Sequence, residues 1–284
     1  MFNLRYHIAS LVAVFLALAV GLLLGGVVVE RGTLDRQRDS IVKSLRDDFE
    51  RLSAENRELS GRAERHERFA EELLPGLLAG RLAGRSVVIL VDPSRRDVSR
   101  PVRDAVRAAG GEPVTVRLRF EGFGLDETGL ASALPGLPEG DAAARAGALA
   151  DALAAEWLAD APRPVTEKLR LAGVFDGDEL PEGPPAAVVA AASWQTEDGE
   201  QRADAVAEAL LARMAAGGVP VAAVEVTGAD TGCVRAAVAE GLPAVDHADT
   251  PEGAVSLVWV LSGRAEGYFG VRSGSDAAFP KLAE

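Results

Sequence analysis

The sequence is short of soft and borderline metal ligands. Its 284 residues include one cysteine, Cys233, two methionines, Met1 and Met214, and three histidines, His7, His66 and His247. One cysteine forms no intrachain disulfide, which leaves exported and cytosolic readings both open. Sulfur and imidazole are what soft and borderline transition metals select. With no CxxC, MxxM or HxH spacing, the chain offers no dedicated site of that kind, and no cofactor is expected. Lysine is also scarce: of 30 basic residues only Lys43, Lys168 and Lys281 are lysine, the signature of coding bias in a GC-rich genome. The formal charge of −13 argues against a nucleic-acid partner, because neutralising phosphates takes an excess of Lys and Arg.

Chemical motifs are absent as well. There is no GxGxxG turn, no Walker A loop and no GxSxG elbow. Nucleophilic catalysis needs a positioned base, and His247 is the one histidine outside the N-terminal helical region. The sequence is therefore read as non-enzymatic. Two polar loops are read as helix caps. Thr227-Gly228-Ala229-Asp230-Thr231-Gly232 follows a strand and opens a helix, where Asp or Thr is an ordinary cap. Asp246-His247-Ala248-Asp249 is read as a surface loop with Asp249 or Thr250 as the cap.

What is present begins with an apolar run. Residues 8–29 carry no charge and span roughly 33 Å as a helix, about the thickness of a bilayer's hydrocarbon core. The run is longer than the apolar region of a cleavable signal, about 7–15 residues, so it is read as an uncleaved anchor rather than a signal. Ala13, Ala17, Gly21 and Gly25 recur every fourth residue on one face, and Gly21 to Gly25 is a GxxxG spacing that lets two helices approach closely. Arg5 precedes the span, whereas Arg31, Arg36, Arg38 and Lys43 follow it. The positive-inside rule places the following chain in the cytoplasm. A short N-terminal tail before a long domain is instead the layout of an exported, anchored protein, and sidedness stays open on charge alone.

Residues 30–72 hold twelve acidic and ten basic residues and no proline. Leu45, Leu52, Leu59 and Leu73 keep a spacing of seven with His66 in the gap, while Leu34, Ile41 and Phe69 fall on the companion position. This is a coiled-coil register of about six heptads, broken on its seam by Asp48, Glu55 and Arg62. Asp47→Arg51, Glu58→Arg62 and Glu64→Arg68 are i,i+4 pairs in the better orientation. A stalk above a GxxxG span predicts a parallel homodimer. The stalk is expected to end near Pro75-Gly76.

The remainder alternates strands and helices. Strands are expected at 86–91, 112–119, 186–192, 219–226 and 242–246. Helices are expected at 99–109, 142–159, 198–216, 230–240 and 250–261, and a Gly/Pro-rich loop or lid at 121–140. The rhythm predicts an α/β layered domain with a mostly parallel sheet. The domain plan is an N-terminal tail and transmembrane anchor over 1–29, a coiled-coil stalk over 30–74, and a globular α/β domain over 75–284.

The opening LRYHIASLVAVFLALAVGLLLGG resembles the start of the MctB-type copper transport proteins of the actinobacterial cell envelope. The likeness continues through the charged helical stalk, GRSVVILVDP, and Gly267-Tyr268-Phe269-Gly270-Val271 followed by Ser273-Gly274-Ser275-Asp276. The resemblance implies copper homeostasis, by export or by keeping intracellular copper low, and an envelope location; it supplies no copper-ligand motif. The expected partners are the membrane, a second copy of the chain and a protein in the envelope. The globular domain is expected to be exported. A second reading is a scaffold whose α/β domain binds a protein partner while the stalk sets its distance from the membrane. A third is a sensor whose domain binds a small molecule.

Overall fold

The computed structural model describes residues 4–92, 96–119, 142–195 and 201–281. The expected loop at 121–140, Pro93-Ser94-Arg95 and the side chain of the seam residue Leu34 lie outside the described residues. Two compact units divide the chain at His66/Glu67.

The first unit is helical. It belongs to α1, Leu4–Leu78. The segment Arg5–Gly25 within it is apolar enough to cross a membrane, with a mean hydropathy of 2.7 over its 21 residues. Of the expected i,i+4 pairs, Arg62–Glu58 forms at 2.6 Å. Arg51 pairs at 3.1 Å with Asp48, three residues away, rather than with Asp47. Both geometries bring side chains together on a helix surface, and here the closer carboxylate wins.

In the second unit, α1 runs three residues past Pro75, to Leu78. Proline lacks an N–H and breaks an α-helix by losing the bond back to residue i−4, yet its carbonyl still accepts from Ala79 at 3.0 Å, so the last turn closes. Leu78 and, just beyond it, Leu82 are fully buried. Arg81 lies 4.1 Å from the Trp259 ring centroid, a cation–π contact.

The remaining elements are β1 Ser86–Val91, α2 Arg96–Ala108, β2 Glu112–Leu118, α3 Ala142–Leu158, α4 Pro164–Leu171 and β3 Phe175–Gly177. There follow β4 Ala187–Ala191, β5 Ser193–Gln195, β6 Gln201–Ala203, α5 Ala205–Ala216 and β7 Val221–Val224. The chain continues through α6 Cys233–Ala239, β8 Ala244–Val245, α7 Pro251–Leu261 and β9 Tyr268–Phe269. The sheet order is β3-β2-β1-β4-β7-β8-β9. Within this seven-stranded sheet every pairing is parallel except β3 on β2; β5 and β6 form a separate antiparallel pair.

Strand β1 shows why the sheet is sandwiched. Its run SVVILV is apolar at every position after the first, as a parallel strand covered on both faces must be. Val88 and Leu90 enter one core with α3, α4, α5 and α6. Val87, Ile89 and Val91 enter another with the end of α1, α2 and α7. The second unit is thus a three-layer α/β/α domain, as the βαβα rhythm predicted.

Several expectations are corrected. Helix 198–216 begins at Ala205, because 201–203 pair with 193–195 in a hairpin and Asp204 then caps the helix, accepting from the N–H of Val206 and of Ala207 at 2.9 Å. Helix 99–109 starts earlier, at Arg96, and helix 230–240 shrinks to Cys233–Ala239. Strand 219–226 narrows to Val221–Val224, and 242–246 to Ala244–Val245. Five elements lie outside the expected ones: α4, β3, β5, β6 and β9. Helix α4 is started by Pro164 in its first turn and by the Glu156 carboxylate, which accepts from Val165 N–H at 2.5 Å and Thr166 N–H at 2.9 Å. Strand β3 fits against β2 only because residue 177 is glycine. Its φ is +119°, and a Cβ there would run into the Thr115 carbonyl oxygen.

Candidate functional site

On α1 the four small residues Ala13, Ala17, Gly21 and Gly25 share an exposed helix face. Beyond the local helix backbone, no atom of the described residues lies within 4 Å of the position a Cβ would take at Gly21 or Gly25. The seam residues Ile41, Leu45, Leu52, Leu59, Phe69 and Leu73 are likewise exposed in the single chain. Among the described residues, nothing covers these seam positions.

The other functional candidates lie where parallel α/β sheets bind ligands, at the carboxyl ends of their strands. From β1 the sheet grows both ways, to β2 on one side and β4 on the other. Beside that reversal, on the α2 face, is a groove of about 690 Å³. Helix α2 supplies Arg100, Arg103 and Arg107 to it, and β2 and the residue after it supply Arg117 and Arg119. The helix residues share a stripe because their spacing of three and four follows the helical period. Val98, Val102, Ala105 and Val106 on the other side of α2 face the core. On β2 the alternation is equally strict: Val114, Val116 and Leu118 enter the α3 core, so Arg117 stands on the opposite face.

Carboxylates temper this positive field. Asp92, Asp104 and Asp176 also line the groove. Asp176 takes Arg119 at 3.1 Å and Arg117 at 3.5 Å. The Arg119 hydrogen bond, helped by the Gly177 N–H, holds the Asp176 carboxyl below its ordinary range despite some desolvation. Arg100 is 3.8 Å from Asp104. The Nε of Arg103 is buried, with no hydrogen-bond partner among the described residues.

A second polar cluster closes the other half of the sheet. Glu225 follows β7 and Asp246 follows β8, and both are fully buried. Glu225 Oε1 accepts from the N–H of Thr231 and of Val234 at 3.2 Å, and from the Thr231 hydroxyl at 2.9 Å. This carboxylate, rather than Asp230 or Thr231, caps α6. The N-cap position is Gly232 at φ +81°, which leaves no side chain there to do so. Asp230 instead pairs with Arg235 at 2.6 Å. The other Glu225 oxygen takes Arg272 Nη1 at 2.5 Å.

The loop 246–249 is not at the surface as expected. Asp246, His247 and Ala248 are buried, and only Asp249 is exposed. Asp246 accepts from the Tyr268 hydroxyl at 2.5 Å, from Val271 N–H at 3.0 Å and from Arg272 N–H at 3.1 Å, with His247 Nδ1 at 3.1 Å. Burial pushes its carboxyl up, but these donors outweigh burial and set it below the ordinary range. Burial and the neighbouring Asp246 charge raise the Tyr268 phenol. Thr250 is the cap of α7, as one of the two expected alternatives has it, accepting from Gly253 N–H at 3.1 Å. Asp249 turns away to take the Thr227 N–H at 2.7 Å. Every ligand of Asp246 is thus a structural donor, and the cluster pins the C-terminal segment to the sheet. No group of three or more His, Cys, Asp or Glu able to hold a metal converges among the described residues. Cys233 is buried, its Sγ 3.4 Å from the Ala190 carbonyl oxygen.

Sequence reasoning found α2 and β2 but not the groove they share. The signal was there in the spacing of Arg100, Arg103 and Arg107 and in the alternation of Arg117 and Arg119. It needed the knowledge that both elements turn those faces toward each other. The Glu225 and Asp246 network was hidden for a similar reason, since its links to Tyr268, Val271 and Arg272 cross 22 to 47 residues of chain.

Comparison with known families gives one match. The family model described as "Copper transport outer membrane protein, MctB" matches residues 1–280. Among curated proteins none matches the chain.

Proposed function

The chain belongs to the MctB family, and from that premise we propose that it is a single-pass, membrane-anchored envelope protein acting in copper homeostasis as a parallel homodimer, with its α/β domain exported. The observation that carries the reading is the family match over 1–280, joined to one N-terminal helix of membrane-crossing length and composition. Copper in this reading is cargo rather than a resident cofactor. No copper ligand is assigned, because the described residues bring no ligand cluster together.

Pairing follows from the bare stripe on α1. A helix with a seam of leucines spaced in sevens leaves that seam in water unless a second helix covers it. The small face at Ala13, Ala17, Gly21 and Gly25 allows close approach of two spans in the same register. Both features lie on one continuous helix and ask for the same partner, a second copy in parallel.

The deciding experiment is intracellular copper in a strain lacking the gene, with and without external copper. Accumulation reversed by an intact copy supports the reading. Unchanged copper overturns it and favours the scaffold, whose support is the scarcity of soft ligands. Titration of the full-length chain with copper then separates direct binding from an indirect role.

A further inference from the structure

We propose that the arginine-lined groove beside β1 and β2 is a binding site for an anion carrying two or more phosphate groups. The inference is independent of the copper reading. Four observations carry it together. First, the groove sits against the carboxyl ends of β1 and β2, the end of a parallel sheet at which folds of this layout take their ligands. Second, five guanidinium groups against three carboxylates line it in a chain whose net charge is −13. Random placement of charge in so acidic a protein does not gather cations. Third, the Nε of Arg103 is buried without a partner among the described residues, a donor of the kind that native structures normally satisfy. Fourth, the volume of about 690 Å³ is that of a small-molecule site rather than of one bound ion.

The geometry selects the chemistry. Arg100 and Arg107 are seven residues apart on α2, roughly 10 Å along the helix. Arg117 and Arg119 stand roughly 7 Å apart along the β2 direction. One phosphate cannot reach this spread, whereas a chain of two or more can. Guanidinium forks arriving from a helix and from a strand meet at different angles. Tetrahedral phosphate oxygens can accept from both directions, whereas a carboxylate presents its two oxygens in one plane. Asp176 already engages Arg117 and Arg119. That leaves Arg103 and Arg107 as the anchoring pair, with Arg117 and Arg119 completing the opposite wall.

The test is calorimetric titration of the full-length chain in detergent micelles with two probes that each carry two phosphates, inorganic pyrophosphate and dihexanoyl phosphatidylinositol 4-phosphate. Saturable binding of pyrophosphate is expected. Arg103→Gln and Arg107→Gln are each expected to weaken it at least tenfold, and Arg103→Lys less than Arg103→Gln. Arg235→Gln, which removes an arginine that does not line the groove, should change it less than twofold. Saturable binding of the phosphatidylinositol 4-phosphate with the same mutational pattern also supports the site and identifies a lipid headgroup as its source of phosphate. Two results overturn the proposal: no saturable binding of either probe, or binding that Arg235→Gln weakens as much as Arg107→Gln. Arg107 is exposed, so its substitution keeps the test valid even if Arg103→Gln does not fold.

Discussion

The Tyr268 hydroxyl donates to the buried Asp246 carboxylate at 2.5 Å, joining β9 to the end of β8. A hydrogen bond to a buried charged acceptor is worth about 1.5–3 kcal/mol. Tyr268→Phe keeps the ring packing and removes the donor, so unfolding of the full-length protein should lose about that much. The effect depends on pH. With its folded carboxyl held below the ordinary range, Asp246 stays ionised where its unfolded counterpart has begun to take up protons. Its contribution is therefore complete above the unfolded value near 4 and is lost as pH falls through the folded one. Denaturation midpoints at pH 7 and pH 3 check this: the gap between wild type and Tyr268→Phe should narrow in acid.

Asp204 runs the other way. Burial pushes its carboxyl up to about 6, outweighing the two helix N–H groups it accepts from, and the nearby Asp92 charge adds to the rise. Between about pH 4 and 6 the folded chain holds this proton and the unfolded chain has released it, so stability falls as pH rises through that window. Asp204→Asn keeps a side-chain oxygen for the cap and carries no charge. It should stabilise the protein at pH 7.5 by up to about 3 kcal/mol. The slope between pH 4 and 6 should flatten, and at pH 4 the two proteins should be nearly equal. Thermal unfolding of both across that range is the measurement.

Much of this architecture was legible because it rests on local pattern. The apolar run at 8–29, the buried strand SVVILV and the β-α alternation each express one period of the backbone, and the structure realises them. What was not legible depends on distant partners. His247 in isolation looks like a loop histidine, and it is buried because Tyr268 and Arg272 return to Asp246 beside it. Gly270 looks like any glycine near a chain end. A Cβ at this position would collide with the Asp246 carboxylate, so the residue is fixed by a side chain 24 positions earlier. Gly270→Ala should accordingly destabilise by about 1–3 kcal/mol, as overpacking does, and should not add fully to Tyr268→Phe, because both act on the same carboxylate.

Sidedness has a direct chemical test. Cys233 is buried and a poor reporter. Ser273 is exposed, close to the C-terminal end of the described chain. A Cys233→Ala, Ser273→Cys protein in intact cells, treated with a membrane-impermeant maleimide, should be labelled if the α/β domain is exported. Labelling that appears only after the cells are broken places the domain inside and removes that part of the proposed function.

The homodimer makes the sharpest demand on the sequence. If two copies pair in parallel, equivalent residues on the small face and the seam approach their own counterparts across the two-fold axis. Gly21→Ile places a branched side chain where the spans come together, and Leu52→Asp puts two like charges on the seam. Gly21 and Leu52 are both exposed in the single chain, so neither change costs packing within it. Each should lower dimer content without shifting the unfolding of the α/β domain. A single cysteine at position 45 or 59, in a Cys233→Ala background, should form a disulfide with its counterpart under mild oxidation. Cysteine at exposed Arg57, off the heptad positions, should do so far less. Equal cross-linking at all three positions would mean random collision, and none at any of them would mean that the seam does not pair.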